Sequence, residues 1–528
     1  MKVELYDTTL RDGAQSEGVS FSVMDKIRIA KKLDEIGVHY IEGGWPGANP
    51  KDMEFFKKIK RAGLKNAELV AFGSTRHART TPAKDPVLKG LLSAETKIIT
   101  IFGKTWDLHV RDVFRIPLDE NLKMIADSVA FLKSKGRTVY YDAEHFFDGY
   151  KANPEYAKRT LLAARDAGAG VLILCDTNGG TITSEISGII EEVRAFVDIP
   201  LGIHVHNDAD MAVANSIAAV QAGVTQVQGT INGIGERCGN ANLVSIIANL
   251  SLKLNSECLS SASLRGLTEA SRYIAEICNM RQLDVQPFVG NSAFAHKAGV
   301  HINAILKNPK TYEHVDPTAV GNRRRMLISD QTGRSGILKK AQELELELDK
   351  DAPKTKRLLK LIQQLEHEGY HFEAAEASLE LLMKRTLKKF NDFFRLMDFR
   401  VITSKEGAKM TSEAIIKLKV GKEFQHTAAL GDGPINALDN ALRKALKDFY
   451  PGLAGMHLSD FKVRVLEEKA GTAARVRVLI ESQDSDDSWW TIGVSENIIE
   501  ASWKALTDSI EYKLLKDARK RSSERAAS

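Results

Sequence analysis

Apolar and β-branched residues gather in short runs at 3–6, 40–42, 69–72, 97–101, 138–141, 170–175, 201–205 and 226–229. Between the runs, apolar positions recur with helical spacing, as in 24–36, 122–133 and 184–196. The helical stretches finish at Gly37, Gly63, Gly136, Gly168, Pro200 and Gly223, residue types that end helices. Repeated β-then-α units predict either a closed (β/α) barrel or a doubly wound open sheet. The polar residues discriminate between the two. They lie just after the apolar runs, in DTTLRDG, EGGWPG, FGSTRH, DAEH, CDTNGG, HVHND and NGIGERCGN. A closed barrel brings these strand ends to one mouth, where barrel active sites sit. An open sheet would spread them along an edge of about 35–40 Å, at ~4.8 Å per strand. The fold class expected is therefore α/β, with a (β/α)8 TIM barrel over residues 1–255 as the catalytic body.

The rhythm stops beyond residue 255, and 256–390 reads as helical subdomains and linker. It holds the segments GNSAFAHKAGVHINA and TYEHVDP, then a charged stretch, AQELELELDKDAPKTKRLLKLIQQLEHEG, expected to be a solvated pair of linker helices. From 398 to 516 the period shortens to two. FRVITS, SEAIIKLKVGK, EFQHTAALG, DFKVRVLE, AARVRVLIES and SWWTIGVS read as strands. Two helices in this region match at an offset of 64, through Ile435/Ile499, Ala437/Ala501, Ala441/Ala505 and Leu442/Leu506. The expectation is a separate C-terminal α+β domain with an internal duplication, regulatory or dimerising in role. Gly431, Gly433 and Gly493 precede its two helices, whose N-termini suit a carboxylate. The polar tail 517–528 is expected to be flexible.

A chain of 528 residues implies three or four domains at about 150 residues each. With 74 basic against 69 acidic residues, the net charge is +5, which does not suit a chain built to neutralise nucleic-acid phosphates. The N-terminus is charged throughout, so a secretory signal is not expected, and no run approaches the roughly eighteen apolar residues of a membrane span. Four widely spaced cysteines without a CxxC exclude a disulfide scaffold and point to a reducing, cytoplasmic compartment.

The sharpest chemical feature is His204-Val-His206 at the end of a strand. Alternation sends both imidazoles to one face, the barrel interior, as a ready pair for a divalent metal. Taken alone, the pair equally suits two histidines hydrogen-bonded to nearby loops. Asp12 offers a hard oxygen ligand and Arg11 can hold an oxyanion beside it, although an adjacent Arg–Asp also suits a surface ion pair or an N-cap. Asn240 suits a helix N-cap or a metal-facing amide. The glycines around it, Gly233, Gly235 and Gly239, miss the dinucleotide fingerprint because the third comes one residue late. Cys238 sits at a helix start, and a nucleophilic role for it is not favoured.

DTTLRDGAQ, HVHND, GERCGNAN, KAGVHINA and TYEHVDP together resemble the 2-isopropylmalate, homocitrate and citramalate synthase family over nearly the whole chain. Within it, VYYDAEHFFDGY resembles the long citramalate-forming branch. The resemblance implies condensation of acetyl-CoA with a 2-oxo acid, pyruvate in this branch, followed by thioester hydrolysis. It implies one divalent metal ion, Mg, Mn or Zn unresolved, held by Asp12, His204, His206 and Asn240. Arg11 matches the family's catalytic arginine. Glu144 holds the acidic position of the strand-five motif, where Asp142-Ala143-Glu144-His145 departs from the Ser-x-Glu-Asp run of leucine-pathway members. Thr177 matches the threonine that holds the oxo-acid carboxylate. His301 and Tyr312 match residues used in proton transfer and acetyl-CoA handling. Ile99 stands where isopropylmalate- and homocitrate-forming members are expected to carry histidine, and an apolar wall there suits pyruvate's methyl. A homodimer with isoleucine as feedback inhibitor is the accompanying expectation. The alternatives are a 2-oxoisovalerate or homocitrate-forming acceptor preference, a retro-aldol barrel lyase, and a non-enzymatic metal-binding regulatory protein. The lyase would not need the duplicated domain, and the regulatory protein would tolerate loss of Arg11 or Glu144.

Overall fold

Eight parallel strands close on themselves in sequence order in a computed structural model of the chain. They are β1 Glu4–Asp7, β2 Tyr40–Gly44, β3 Glu68–Ser74, β4 Ile98–Lys104, β5 Thr138–Glu144, β6 Val171–Asp176, β7 Leu201–Val205 and β8 Gln226–Gly229. The structure describes residues 1–328, 334–344, 346–349, 352–390, 392–466 and 474–527. The expected runs and the observed strands agree, the main difference being that several strands run two or three residues further toward their polar exits.

Strands buried on both faces need an apolar set inside and another outside. The inner set is Tyr6, Val70, Ile98, Tyr140, Val171, Ile173 and Cys175. The outer faces, with Ala71, Ile99, Ile101, Val139, Tyr141, Ile203 and Val205 among them, join the helix layer in one large cluster. Local signals place the helices. Val23–Ile36 begins with a Ser22–Asp25 capping box and ends at Gly37, whose φ of 87° only glycine adopts without strain. Pro50, Pro86 and Pro154 open three further helices at their first turn.

This first unit runs further than the expected break at 255. It comprises Met1–Phe294 and His314–Arg324, because Leu264, Leu267, Ile274, Phe288, Val289, Phe294 and Val320 belong to the same buried cluster as the barrel helices.

The second unit comprises Ala295–Glu313 and Arg325–Ser528. Its charged helices are not the solvated linker expected from their composition. Ile337 and Ala341, Leu358 and Ile362, and Leu379 and Met383, each four residues apart, fill one buried cluster with Phe372. Residues 345, 350 and 351 of that stretch lie outside the described residues. The duplication is real in three dimensions. Strands Arg395–Glu406, Lys409–Val420 and Glu423–Gly431 form one antiparallel sheet followed by helix Pro434–Leu446. Strands His457–Val465, Val476–Gln483 and Ser488–Ser495 form the other, followed by helix Ile498–Ala527. The copies share irregularities as well as order. Each first strand has a register shift at its start, between Leu396 and Asp398 and between Leu458 and Asp460. Thr427 donates to the Ala441 carbonyl, and Thr491, 64 positions on, donates to that of Ala505. The tail expected to be flexible instead continues the last helix to Ala527. Lys516 and Lys520, one turn apart, reach Asp484 and Asp486 and favour that continuation. Among the described residues no helix is long and apolar enough to cross a membrane.

Candidate active site at the barrel mouth

Strand parity decides which side chains reach the mouth. With Ile203 and Val205 facing the helix layer, His204 and His206 face inward, their rings 5.3 Å apart. Asp12 enters from the turn after β1, and its carboxylate does not cap the short helical turn that follows. Asp12, His204 and His206 bring one ligand atom each to within 4.8 Å of one another, all buried. Asn240 closes the group: its Nδ2 lies 3.3 Å from Asp12 Oδ2 and 3.4 Å from His204 Nε2. It is not a cap, because Asn242 caps the following helix Leu243–Leu252.

The glycines that resembled a dinucleotide loop have a packing role instead. A side chain on Gly239 would meet the Gly233 carbonyl at 2.0 Å, and one on Gly235 would meet Asn240 Oδ1 at 2.0 Å. The loop closes only with glycine at these points, and so delivers Asn240 to the site.

The donor set fits a divalent cation. Among the described residues, Asn240 Oδ1 and His206 Nδ1 are buried without a hydrogen-bond partner. Rotating the Asn240 amide by a half-turn exchanges the two donors now facing Asp12 and His204 for a metal-ligating oxygen. Burial lowers both histidine pKa values, that of His206 to about 3, so both rings are neutral and able to ligate. Burial would raise the Asp12 carboxyl, but the adjacent Arg11 guanidinium leads the groups that hold its pKa below the ordinary value.

Arg11 is pinned from three sides. Its Nη2 donates to Asp12 Oδ2 at 2.9 Å, its Nε donates to Glu42, and its guanidinium lies 3.8 Å from the Phe72 ring centre. Burial would lower its pKa, yet Asp12 and Glu42 raise it above the ordinary value, so the cation is permanent. Glu42 is wholly buried in the middle of β2 and also accepts from Tyr6 OH at 2.6 Å. Nothing in the sequence singled Glu42 out beyond its place in the polar strand exit EGGWPG.

On the β4–β6 side, Glu144 pairs with Lys104, and Thr177 Oγ1 accepts from the backbone N–H of His145 at 2.8 Å. The Thr177 hydroxyl proton remains available to an incoming carboxylate. Phe72 and Phe102 stack at 5.5 Å, and Trp45 meets both edge-on. Sequence reasoning missed Lys104 and this aromatic group.

Ile99 is a correction. It is fully buried in the helix-facing cluster, because Ile98 fills the barrel interior and successive side chains alternate. The inward position is Thr100, whose hydroxyl is 2.8 Å from Tyr6 OH. Ile99 therefore does not wall the acceptor site. His301 and Tyr312 belong to the second unit, where their rings lie 4.2 Å apart. Cys238 is exposed, and all four cysteines are free.

Comparison with known proteins matches the chain segment by segment. Residues 2–274 match the HMGL-like family, 288–369 the homocitrate synthase post-HMGL domain-like family, and 373–514 the LeuA allosteric (dimerisation) domain. The chain is 58% identical over 516 residues to the (R)-citramalate synthase of Geobacter sulfurreducens, covering 97% of this chain and 98% of that one. It is 56% identical to the (R)-citramalate synthase of Aquifex aeolicus, covering 98% of each. The 2-isopropylmalate synthase of Methanocaldococcus jannaschii is 30% identical, covering 98% of this chain and 95% of that one.

Proposed function

The chain belongs to the 2-isopropylmalate, homocitrate and citramalate synthase family, in its citramalate branch, and from that premise we propose how its residues perform the condensation. Acetyl-CoA and pyruvate are joined, and hydrolysis then gives (R)-citramalate and free CoA, the first step of a pyruvate route to isoleucine. The observation that carries the reading is Arg11, permanently charged and fixed between Asp12 and Glu42 beside the His204–His206 pair.

Asp12, His204, His206 and a rotated Asn240 would hold the divalent cation. When bound, it polarises the ketone of the oxo acid and stabilises negative charge on its oxygen. Arg11 cannot lose its proton, so it stabilises that oxyanion and does not act as a base. Thr177 donates its hydroxyl proton to the oxo-acid carboxylate. His301, whose ring lies against Tyr312, is assigned removal of a methyl proton from the thioester, and Glu144, ion-paired with Lys104, is assigned the acidic role at the barrel mouth. The resulting carbon nucleophile attacks the ketone carbon, whose π electrons move to the oxygen. Water then cleaves the C–S bond of the thioester. The family resemblance supports contribution of His301 and Tyr312 by a neighbouring subunit in a homodimer.

With Ile99 turned outward, selectivity for pyruvate is assigned to Trp45, Phe72 and Phe102, whose rings crowd the space beside Arg11. A pocket difference of one methylene is worth about 1–3 kcal/mol, so the preference is finite. The duplicated domain is read as the seat of isoleucine inhibition, and the compartment as cytoplasmic. The test is release of free CoA thiol from acetyl-CoA with pyruvate, 2-oxoisovalerate or 2-oxoglutarate. Pyruvate should give the highest kcat/KM; a higher value with 2-oxoisovalerate would return the chain to the leucine-pathway alternative.

A further inference from the structure

An imidazole ligates a cation through an unprotonated nitrogen, so its tautomer has to be set by whatever the other nitrogen meets. His204 Nδ1 lies 3.0 Å from Gln228 Oε1, on the interior side of β8. This leaves the proton on Nδ1 and the Nε2 lone pair facing Asp12, whose Oδ2 is 3.6 Å away. A glutamine amide, however, has an acceptor at one end and a donor at the other. Turned over, it would present Nε2–H to His204 Nδ1 and force the imidazole proton onto Nε2, where it would block the ligand position. The two amide poses fill the same volume, so packing cannot choose between them.

Something must therefore hold the far end of the amide. Gln228 is fully buried and Asp142 is 4% exposed. Asp142 faces the barrel interior, two residues after the inward Tyr140 of β5. Among the described residues, Gln228 Nε2 and Asp142 Oδ1 are both buried without a hydrogen-bond partner. One is a donor and the other an acceptor. Burial and the neighbouring Glu42 push the Asp142 carboxyl well above its ordinary pKa, and the Gln228 side chain is among the nearby groups drawing it back down. In either charge state the carboxyl keeps an oxygen that can accept from the amide. The condensation described above makes no use of Asp142.

We propose that Asp142 is a positioning residue: it holds Nε2 of Gln228, orients the Gln228 oxygen toward His204, and so fixes His204 as the Nδ1–H tautomer whose Nε2 is open to a divalent cation. The proposal rests on the reading of Asp12, His204 and His206 as metal ligands. It accounts for two buried polar groups that otherwise have no function. It also makes a demand that simple packing does not make. A carboxylate at position 228 has no wrong end, so it needs no Asp142.

The experiment titrates Mn2+ into chelator-stripped full-length protein and follows free Mn2+ by electron paramagnetic resonance. Wild type, Asp142→Ala, Asp142→Leu and the double variant Asp142→Ala/Gln228→Glu are compared, with far-UV circular dichroism as the folding control. Both single variants should bind Mn2+ about 10–100-fold more weakly, the usual effect of losing an outer partner, and the double variant should return to within about threefold of wild type. Unchanged affinity in Asp142→Ala overturns the proposal. So does a loss that Gln228→Glu fails to restore in a folded protein, since that is the signature of disturbed packing. If wild type binds no more Mn2+ than His204→Ala, the metal reading itself fails and the proposal falls with it.

Discussion

Replacing Glu42 with glutamine changes one oxygen for an amide nitrogen in a wholly buried position, and the structure says what that should cost. Glu42 now accepts twice, from Tyr6 OH at 2.6 Å and from Arg11 Nε. Glutamine has one acceptor oxygen, so one of those donors would face an NH2 group. Arg11 would keep Asp12 and the Phe72 face but lose the contact that fixes its Nε. Losing a hydrogen bond to a charged group and leaving a buried donor unmet costs about 1–3 kcal/mol of stability. The effect on the reaction should be larger than that figure suggests. A guanidinium displaced from the developing oxyanion forfeits about 10²-fold in rate, close to 2.7 kcal/mol. The loss should appear in kcat, with KM for pyruvate moving little, because the Asp12–His204–His206 group and Thr177 are untouched. The assay is steady-state CoA release with pyruvate varied at saturating acetyl-CoA, with Mn2+ affinity measured on the same preparation. A Glu42→Gln enzyme within about threefold of wild-type kcat, against the ~10²-fold expected, would refute the idea that Glu42 sets Arg11.

Further outcomes follow from the same geometry. His204→Ala should abolish metal binding and turnover while the far-UV circular dichroism of the barrel is retained; full turnover in chelator-treated wild type would count against a metal site. Ile99→Ala should cost about 2–5 kcal/mol of stability and leave the ratio of pyruvate to 2-oxoisovalerate turnover unchanged, whereas Phe102→Ala should shift that ratio toward the bulkier acid. Burial raises the Asp7 carboxyl from 3.8 to about 7, so the folded chain keeps a proton that the unfolded chain releases between those values. Stability should therefore fall as pH rises from about 4 to 7, by at most ~1.4 kcal/mol per pH unit from this group, and urea melts of Asp7→Asn should show a flatter profile across that window. A chain ending near Lys389 should lose isoleucine sensitivity, and calorimetry should show isoleucine binding to the full-length protein; absence of both binding and inhibition at millimolar isoleucine would leave the duplicated domain without a regulatory role.

How much of this was legible in the sequence depends on the range of the interaction that decides each feature. The barrel was legible because periods of 2 and 3.6 and terminal Gly and Pro signals are local, and each strand run could be read without its neighbours. The duplication was legible because Ile435/Ile499 and its companions repeat at one offset, and the paired hydrogen bonds of Thr427 and Thr491 show that the repeat is structural. The second unit's helices were misread for the opposite reason. Their charges are visible in sequence, but the small cluster of Ile337, Leu358, Ile362 and Leu379 that buries their other faces is assembled from distant segments. Composition reports the solvent side of such helices and hides the packed side.

The site divides along the same line. Asp12, His204 and His206 could be chosen because each stands in a motif whose residue types are unusual at a strand exit. Glu42, Asp142 and Gln228 could not, since each matters through a partner on another strand: Arg11 from the turn after β1, His204 on β7. Ile99 shows how sharp the dependence is. In a strand, an assignment one residue out moves a side chain from the cavity to the helix layer, because the side-chain period is two. Ile98, Ile99, Thr100 and Ile101 offer no polar alternation clear enough to set that parity from sequence. The parity is set by Tyr6, whose hydroxyl meets both Thr100 and Glu42 across the barrel and so turns Thr100 inward and Ile99 out. An acceptor preference argued from Ile99 thus reached its conclusion through the wrong side chain. Phe72 lies beneath the Arg11 guanidinium and Phe102 stacks on Phe72, and the proposed acceptor selectivity rests on these rings together with Trp45.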